Sequence, residues 1–139
     1  MSGAHVPASL RRLVTERAHG RCEYCRTPSS IALASHEIDH IVAVKHGGLT
    51  EADNLALSCA VCNKLKGTDL TSIDPATGEI VPLFHPRHEA WDSHFRLEGA
   101  RLLPLTPTGR TTLRLLQLNH PDRLAERELL IEAGEFLPE

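Results

Sequence analysis

A chain of 139 residues, 41% hydrophobic and 24% charged, can bury one modest core and leaves little for a second. Its net charge of −3 excludes a protein drawn to nucleic acid by a global field, and no apolar run reaches the ~20 residues that a membrane-crossing helix needs. The charge is uneven: residues 1–70 carry eight Lys/Arg against seven Asp/Glu, and residues 71–139 carry seven against eleven, so a polyanion is expected to meet the first half. The opening ten residues are short, mixed and small, without the basic-then-apolar pattern of a leader; the expectation is a soluble, cytoplasmic protein of one domain, 1–139.

Ser9 stands where an N-cap belongs, and Leu10, Leu13 and Val14 at i, i+3, i+4 predict a helix over residues 10–18, stopped by Gly20. Residues 38–44 are rich in β-branched side chains and predict a strand broken at Gly47-Gly48; after a polar loop, Leu55–Ser58 predicts its return. A short helix is expected over 63–66, ending at Gly67. Asp74-Pro75 and Thr77-Gly78 mark a turn, 80–84 a strand, and 93–97 with 101–105 a hairpin across Glu98-Gly99-Ala100. Pro107 or Thr108 opens a helix turning Leu113, Leu115 and Leu116 inward and closing at Asn119. Pro121 opens a last helix, phased by Leu124, Ala125, Glu128 and Leu129.

Four cysteines form two Cys-x-x-Cys pairs, Cys22/Cys25 and Cys59/Cys62. Each pair can grip one tetrahedral ion from a tight turn, and two pairs close the four-sulfur shell of a structural zinc. In a reducing compartment paired cysteines bind metal more often than they oxidise; two disulfides are the competing reading. Beside the pairs stand Asp39-His40, Asn54 and Asn63. An acid and amide carbonyls suit a hard, oxygen-ligated cation such as Mg2+ or Mn2+. His40 has the proton affinity to deprotonate water near neutral pH, and Asp39 and Asn63 offer two oxygen ligands. Lys45, Lys64 and Lys66 offer charge for a phosphate backbone, with Arg11, Arg12, Arg17, Arg21 and Arg26 as further contacts, while the Asn54 amide suits bonding the loop backbone or fixing the His40 tautomer. Neighbours on an ideal strand point to opposite faces, so Asp39 and His40 need a strand end or a distortion to serve one site.

The runs Arg21-Cys22-Glu23-Tyr24-Cys25, Glu37-Ile38-Asp39-His40-Ile41, Gly47-Gly48, Asn54-Leu55 and Cys59-Ala60-Val61-Cys62-Asn63-Lys64-Leu65-Lys66-Gly67 resemble the HNH endonucleases, in their zinc-bound four-cysteine branch. The resemblance covers residues 8–70 and implies an α+β fold with a ββα-metal core. It implies that His40 is the general base, that Asp39 and Asn63 hold a catalytic Mg2+ or Mn2+, that Asn54 is the structural asparagine of the connecting loop, and that the four cysteines hold structural Zn2+. The reaction implied is DNA cleavage leaving a 5′-phosphate and a 3′-hydroxyl. Residues 71–139 are expected to pack on this core as an extension. Two departures stand out: Asn63 replaces the motif's histidine, which favours Mg2+ or Mn2+, and Ala43 stands where many relatives have proline.

Taken singly, Asp39 caps a turn, Asn63 caps a helix and His40 is a surface or core histidine, so a non-catalytic zinc-knuckle module binding nucleic acid is the rival reading. His36 is expected to be structural, Arg87 and Arg110 to pair with carboxylates, and Trp91, Phe84 and Phe95 to lie in the core. On this division of labour Cys22→Ser costs the fold, whereas Asp39→Ala spares it.

Overall fold

The hydrophobic periods produce five helices and six short strands among the described residues, 5–31 and 35–136 of a computed structural model. In chain order these are α1 (Ala8–Arg17), β1 (Glu37–His40), β2 (Leu55–Ser58), α2 (Ala60–Lys66), β3 (Thr71–Ile73), β4 (Ile80–Pro82), α3 (Trp91–His94), β5 (Phe95–Glu98), β6 (Arg101–Pro104), α4 (Pro107–Leu115) and α5 (Pro121–Glu132). The strands pair antiparallel as β1·β2, β3·β4 and β5·β6, an α+β arrangement of three small sheets.

The first half follows β1, β2 and α2, with a sulfur cluster at its base. Ile38 faces Leu57, Asp39 faces Ala56 and His40 faces Leu55. The expected strand over 38–44 stops at His40 because Asn54 takes over its pairing. The Asn54 carbonyl accepts from Ile41 N–H at 2.9 Å, its side-chain oxygen accepts from Val42 N–H at 2.9 Å, and its Nδ2 donates to the Val42 and Leu49 carbonyls at 2.9 Å each. An amide side chain thus does the work of a partner strand and turns the chain into the loop that carries Thr50. Gly48 sits so close to Val42 that any Cβ would collide with its carbonyl.

Elsewhere the sequence placed elements better than it placed their ends. Helix α1 begins at Ala8 behind Pro7, whose fixed φ prepares the first turn, and Ser9 lies inside it without capping it. Helix α2 begins three residues earlier than expected because the Cys59 thiol accepts from Cys62 N–H and caps it. Helix α4 ends at Leu115, and Asn119 clamps β6 instead, bonding the Leu102 N–H and carbonyl at 2.9 and 2.8 Å. It buries Gly109, Thr111 and Thr112, while Leu113 and Leu115 pack only partly. Helix α5 turns Arg127 and Leu130 inward and leaves Leu129 67% exposed, one position out of the expected phase.

One hydrophobic cluster joins the two halves. Tyr24, Ile41 and Ala56, with the four cysteines, pack with Phe84, Trp91, Phe95, Leu102, Leu116 and Leu118. A smaller one sets Val14 of α1 on Leu55 and Leu57 of β2. The Trp91 indole N–H donates to the Tyr24 carbonyl at 2.9 Å, and Arg87 pairs with Glu23, so the extension grips the first knuckle directly.

Candidate metal centre and active site

Cys22 and Cys25 come from the turn after α1, Cys59 and Cys62 from the start of α2. All four are free thiols, buried, with every sulfur within 4.8 Å of the others. The Cys25 and Cys59 sulfurs are 3.6 Å apart. Tetrahedral Zn–S bonds of ~2.3 Å place sulfurs roughly 3.8 Å apart, so the cluster is of a size to hold zinc. Free thiols at this spacing also set aside the disulfide reading. Hydrogen bonding from Cys22, Cys59 and Cys62 pulls Cys25 well below its ordinary 9.0, while burial pushes Cys22 and Cys62 up.

A residue no local pattern announced completes this centre. Arg123, on α5, donates from Nη2 to the Cys62 sulfur at 3.2 Å and lies 3.6 Å from the Cys59 sulfur, while Nη1 donates to the Leu116 carbonyl at 2.7 Å. Burial disfavours its charge, but the neighbouring sulfurs of Cys62, Cys25 and Cys59 outweigh that and raise the guanidinium's affinity for its proton. Four thiolates around Zn2+ carry a net −2, and Arg123 offsets half of it.

Asp39 and His40 are the last two residues of β1, at the strand end. Asp39 turns toward the knuckle and α2: its Oδ2 accepts from the Tyr24 hydroxyl at 2.8 Å and lies 3.2 Å from Lys66 Nζ. Lys66 also donates to the Ile41 carbonyl at 3.1 Å. Both members of the pair are buried, Asp39 at 4% and Lys66 at 3% exposure. Burial raises the Asp39 carboxyl above 3.8, against the pull of Lys66, Tyr24 and His40. His40 turns toward the loop, with Nε2 2.9 Å from the Thr50 hydroxyl, and Nδ1 makes no hydrogen bond within the described residues. Burial lowers the ring below its ordinary 6.5, with Asp39 opposing, and so favours the neutral imidazole.

These contacts bear on each expected site residue. Asn63 donates from Nδ2 to Glu37 Oε1 at 2.8 Å, leaving its carbonyl oxygen outside that bond. Asn54 clamps the loop rather than touching His40. Lys66, expected against a phosphate backbone, is buried on Asp39 instead. Asp39 therefore belongs to a buried ion pair, and losing it is expected to cost stability, against the expectation that Asp39→Ala spares the fold. Lys45 lines a cleft of about 420 Å3 with His46, Thr68 and Asp69. Arg17, Arg21 and Arg26 meet in another of about 490 Å3 between α1 and Trp91, with Arg26 4.5 Å above the indole ring.

Residues 22–69, about a third of the chain, match the HNH endonuclease family. Comparison with curated proteins and with solved structures returned no match. The matched segment begins at Cys22 and ends three residues past Lys66, enclosing both knuckles, the Asp39-His40 pair and Asn54. An HNH domain points to nucleic acid as the partner. No helix among the described residues is long and apolar enough to cross a membrane.

Three HNH-segment residues escaped the sequence reading. Glu37 was legible by parity, since it lies two residues before Asp39 on the same strand face. Tyr24 and Thr50 gave no signal, because their role is to touch Asp39 and His40 across 15 and 10 residues. His36 bonds the Thr27 carbonyl at 2.8 Å, and Arg110 forks onto Asp74 at 2.8 and 3.0 Å, holding that carboxyl at about 2.

Proposed function

We propose that the protein is a metal-dependent DNA endonuclease of the reducing cytoplasm, in which His40 activates water, Asp39 and Asn63 hold a Mg2+ or Mn2+ ion, and the four cysteines hold structural zinc. The observation that supports it best is His40: an imidazole held through Nε2 at Thr50, its buried Nδ1 free of any hydrogen bond among the described residues, next in sequence to a carboxylate that already carries a cation. Water gives its proton to His40 Nδ1, its oxygen forms the new bond to phosphorus in line, and the phosphorus–O3′ bond breaks, the departing oxygen taking a proton. The divalent ion supplies positive charge at the phosphoryl oxygens and leaving group. Lys45, Lys64 and the Arg17, Arg21 and Arg26 cleft are the backbone contacts, positioning the strand without reading its sequence.

His40 is 4% exposed, so turnover requires the Gly47-to-Thr50 loop to lift from the ring. That closed state also favours the second reading, a zinc-knuckle module that binds nucleic acid without cutting it. Nicking of supercoiled plasmid in Mg2+ or Mn2+, abolished by His40→Ala with zinc content and melting retained, is the expected result. Protein that shifts DNA and cuts none under any divalent ion assigns it to the binding module.

A further inference from the structure

The Asp39 carboxylate has a cation before any metal arrives. Lys66 Nζ lies 3.2 Å from Oδ2 and 3.5 Å from Oδ1, and the Tyr24 hydroxyl takes a further position on Oδ2. Both charged side chains are buried, and Lys66 reaches them from the last turn of α2, a helix that also carries Asn63. A divalent ion approaching Asp39 meets an ammonium on the same oxygens, with low-dielectric surroundings that amplify their repulsion. Lys66 also has a second acceptor, the Ile41 carbonyl at 3.1 Å, on which it can stay anchored when it leaves the carboxylate.

We infer that Lys66 competes with the divalent cation for Asp39, a built-in counter-ion that keeps the unloaded site closed and sets the cation affinity low. The inference rests on Asp39 being a cation ligand, as proposed above. It makes Lys66 a positioning residue acting through Asp39, and gives a buried lysine in an HNH segment a role apart from phosphate contact. The loaded site forms only when the cation outcompetes a tethered ammonium. Cation concentration, and a polyanion that raises it locally, then control how much protein is in the loaded form.

The test is Mn2+ binding to zinc-loaded protein, followed by the electron paramagnetic resonance of free Mn2+, with the Mn2+-dependent shift in melting temperature as a second readout. Lys66→Met removes the ammonium and keeps most of the volume. It is expected to bind Mn2+ at least about tenfold more tightly than wild type and to gain more melting temperature from it. Lys66→Arg, which keeps the charge, is expected to bind as weakly as wild type. Equal or weaker binding by Lys66→Met overturns the inference. A Lys66→Met protein that folds only when Mn2+ is present supports it, since the ion then replaces the ammonium, whereas one that stays unfolded with Mn2+ overturns it. The Asp39→Asn/Lys66→Met double variant, with both charges removed, separates the two levels. If it retains the tight site, Asp39 is no ligand and the functional reading fails; if it loses that site, the reading stands and the comparison of Lys66→Met with wild type judges the competition alone.

Discussion

Replacing Asn54 with alanine removes three hydrogen bonds at once, those with Val42 N–H, the Val42 carbonyl and the Leu49 carbonyl. Asn54 is only 9% exposed, so water replaces few of them. At roughly 1 kcal/mol net per intramolecular bond, and more where a buried group is left unpaired, the loss is about 3 kcal/mol. For a chain of this length that lowers Tm by about 10 °C. Thermal and urea unfolding of the zinc-loaded protein by circular dichroism reads it, and amide exchange at Val42 should accelerate because its acceptor is gone. Asn54→Asp keeps that one acceptor but sets carboxylate oxygen against two carbonyls, so it should be no more stable than the alanine variant. A loss under about 1 kcal/mol, or an unchanged Val42 exchange rate, would show that the loop does not hang on this amide.

Other outcomes are expected elsewhere. Arg123→Ala removes the guanidinium from Cys62 and Cys59, so zinc transfer to a chromogenic chelator should speed up by about tenfold; an unchanged rate refutes the outer-sphere role. Asp39→Ala leaves buried Lys66 without its anion and Tyr24 without its acceptor, and should cost about 3–5 kcal/mol, with a melt within 1 kcal/mol of wild type as the contrary result. Burial holds His40 below 6.5, so the unfolded chain gains its proton first as pH falls; native stability is insensitive to this group above 6.5 and declines below it. Nicking, with His40 as base, should fall along an acid limb centred below 6.5, and a limb centred above that value contradicts the assignment.

The metal ligands were legible because their chemistry is local: two residues between cysteines fit one turn, and the structure brings both turns together. The strand Leu55–Ser58 was legible for the same reason, a short apolar run between a polar loop and a capping cysteine. What failed was whatever depended on distant partners. Strand β1 was read too long because the sequence cannot show Asn54 replacing a ladder partner. Lys66 was read as a phosphate contact because its partner lies 27 residues away on another element. The phase of α5 was set by Arg127, whose guanidinium bonds the Ala100 and Leu118 carbonyls; a helical wheel has no means of burying an arginine.

Arg123 reaches Cys62 across 61 positions, and Tyr24 and the knuckles share their apolar surface with Phe84, Trp91 and Leu102. A ribosome therefore releases both cysteine turns long before the side chains that shield them exist. Excision or domain grafting with a boundary at residue 70 would inherit a greasy, over-charged flank, so the smallest transplantable unit of this nuclease-like segment runs through α5.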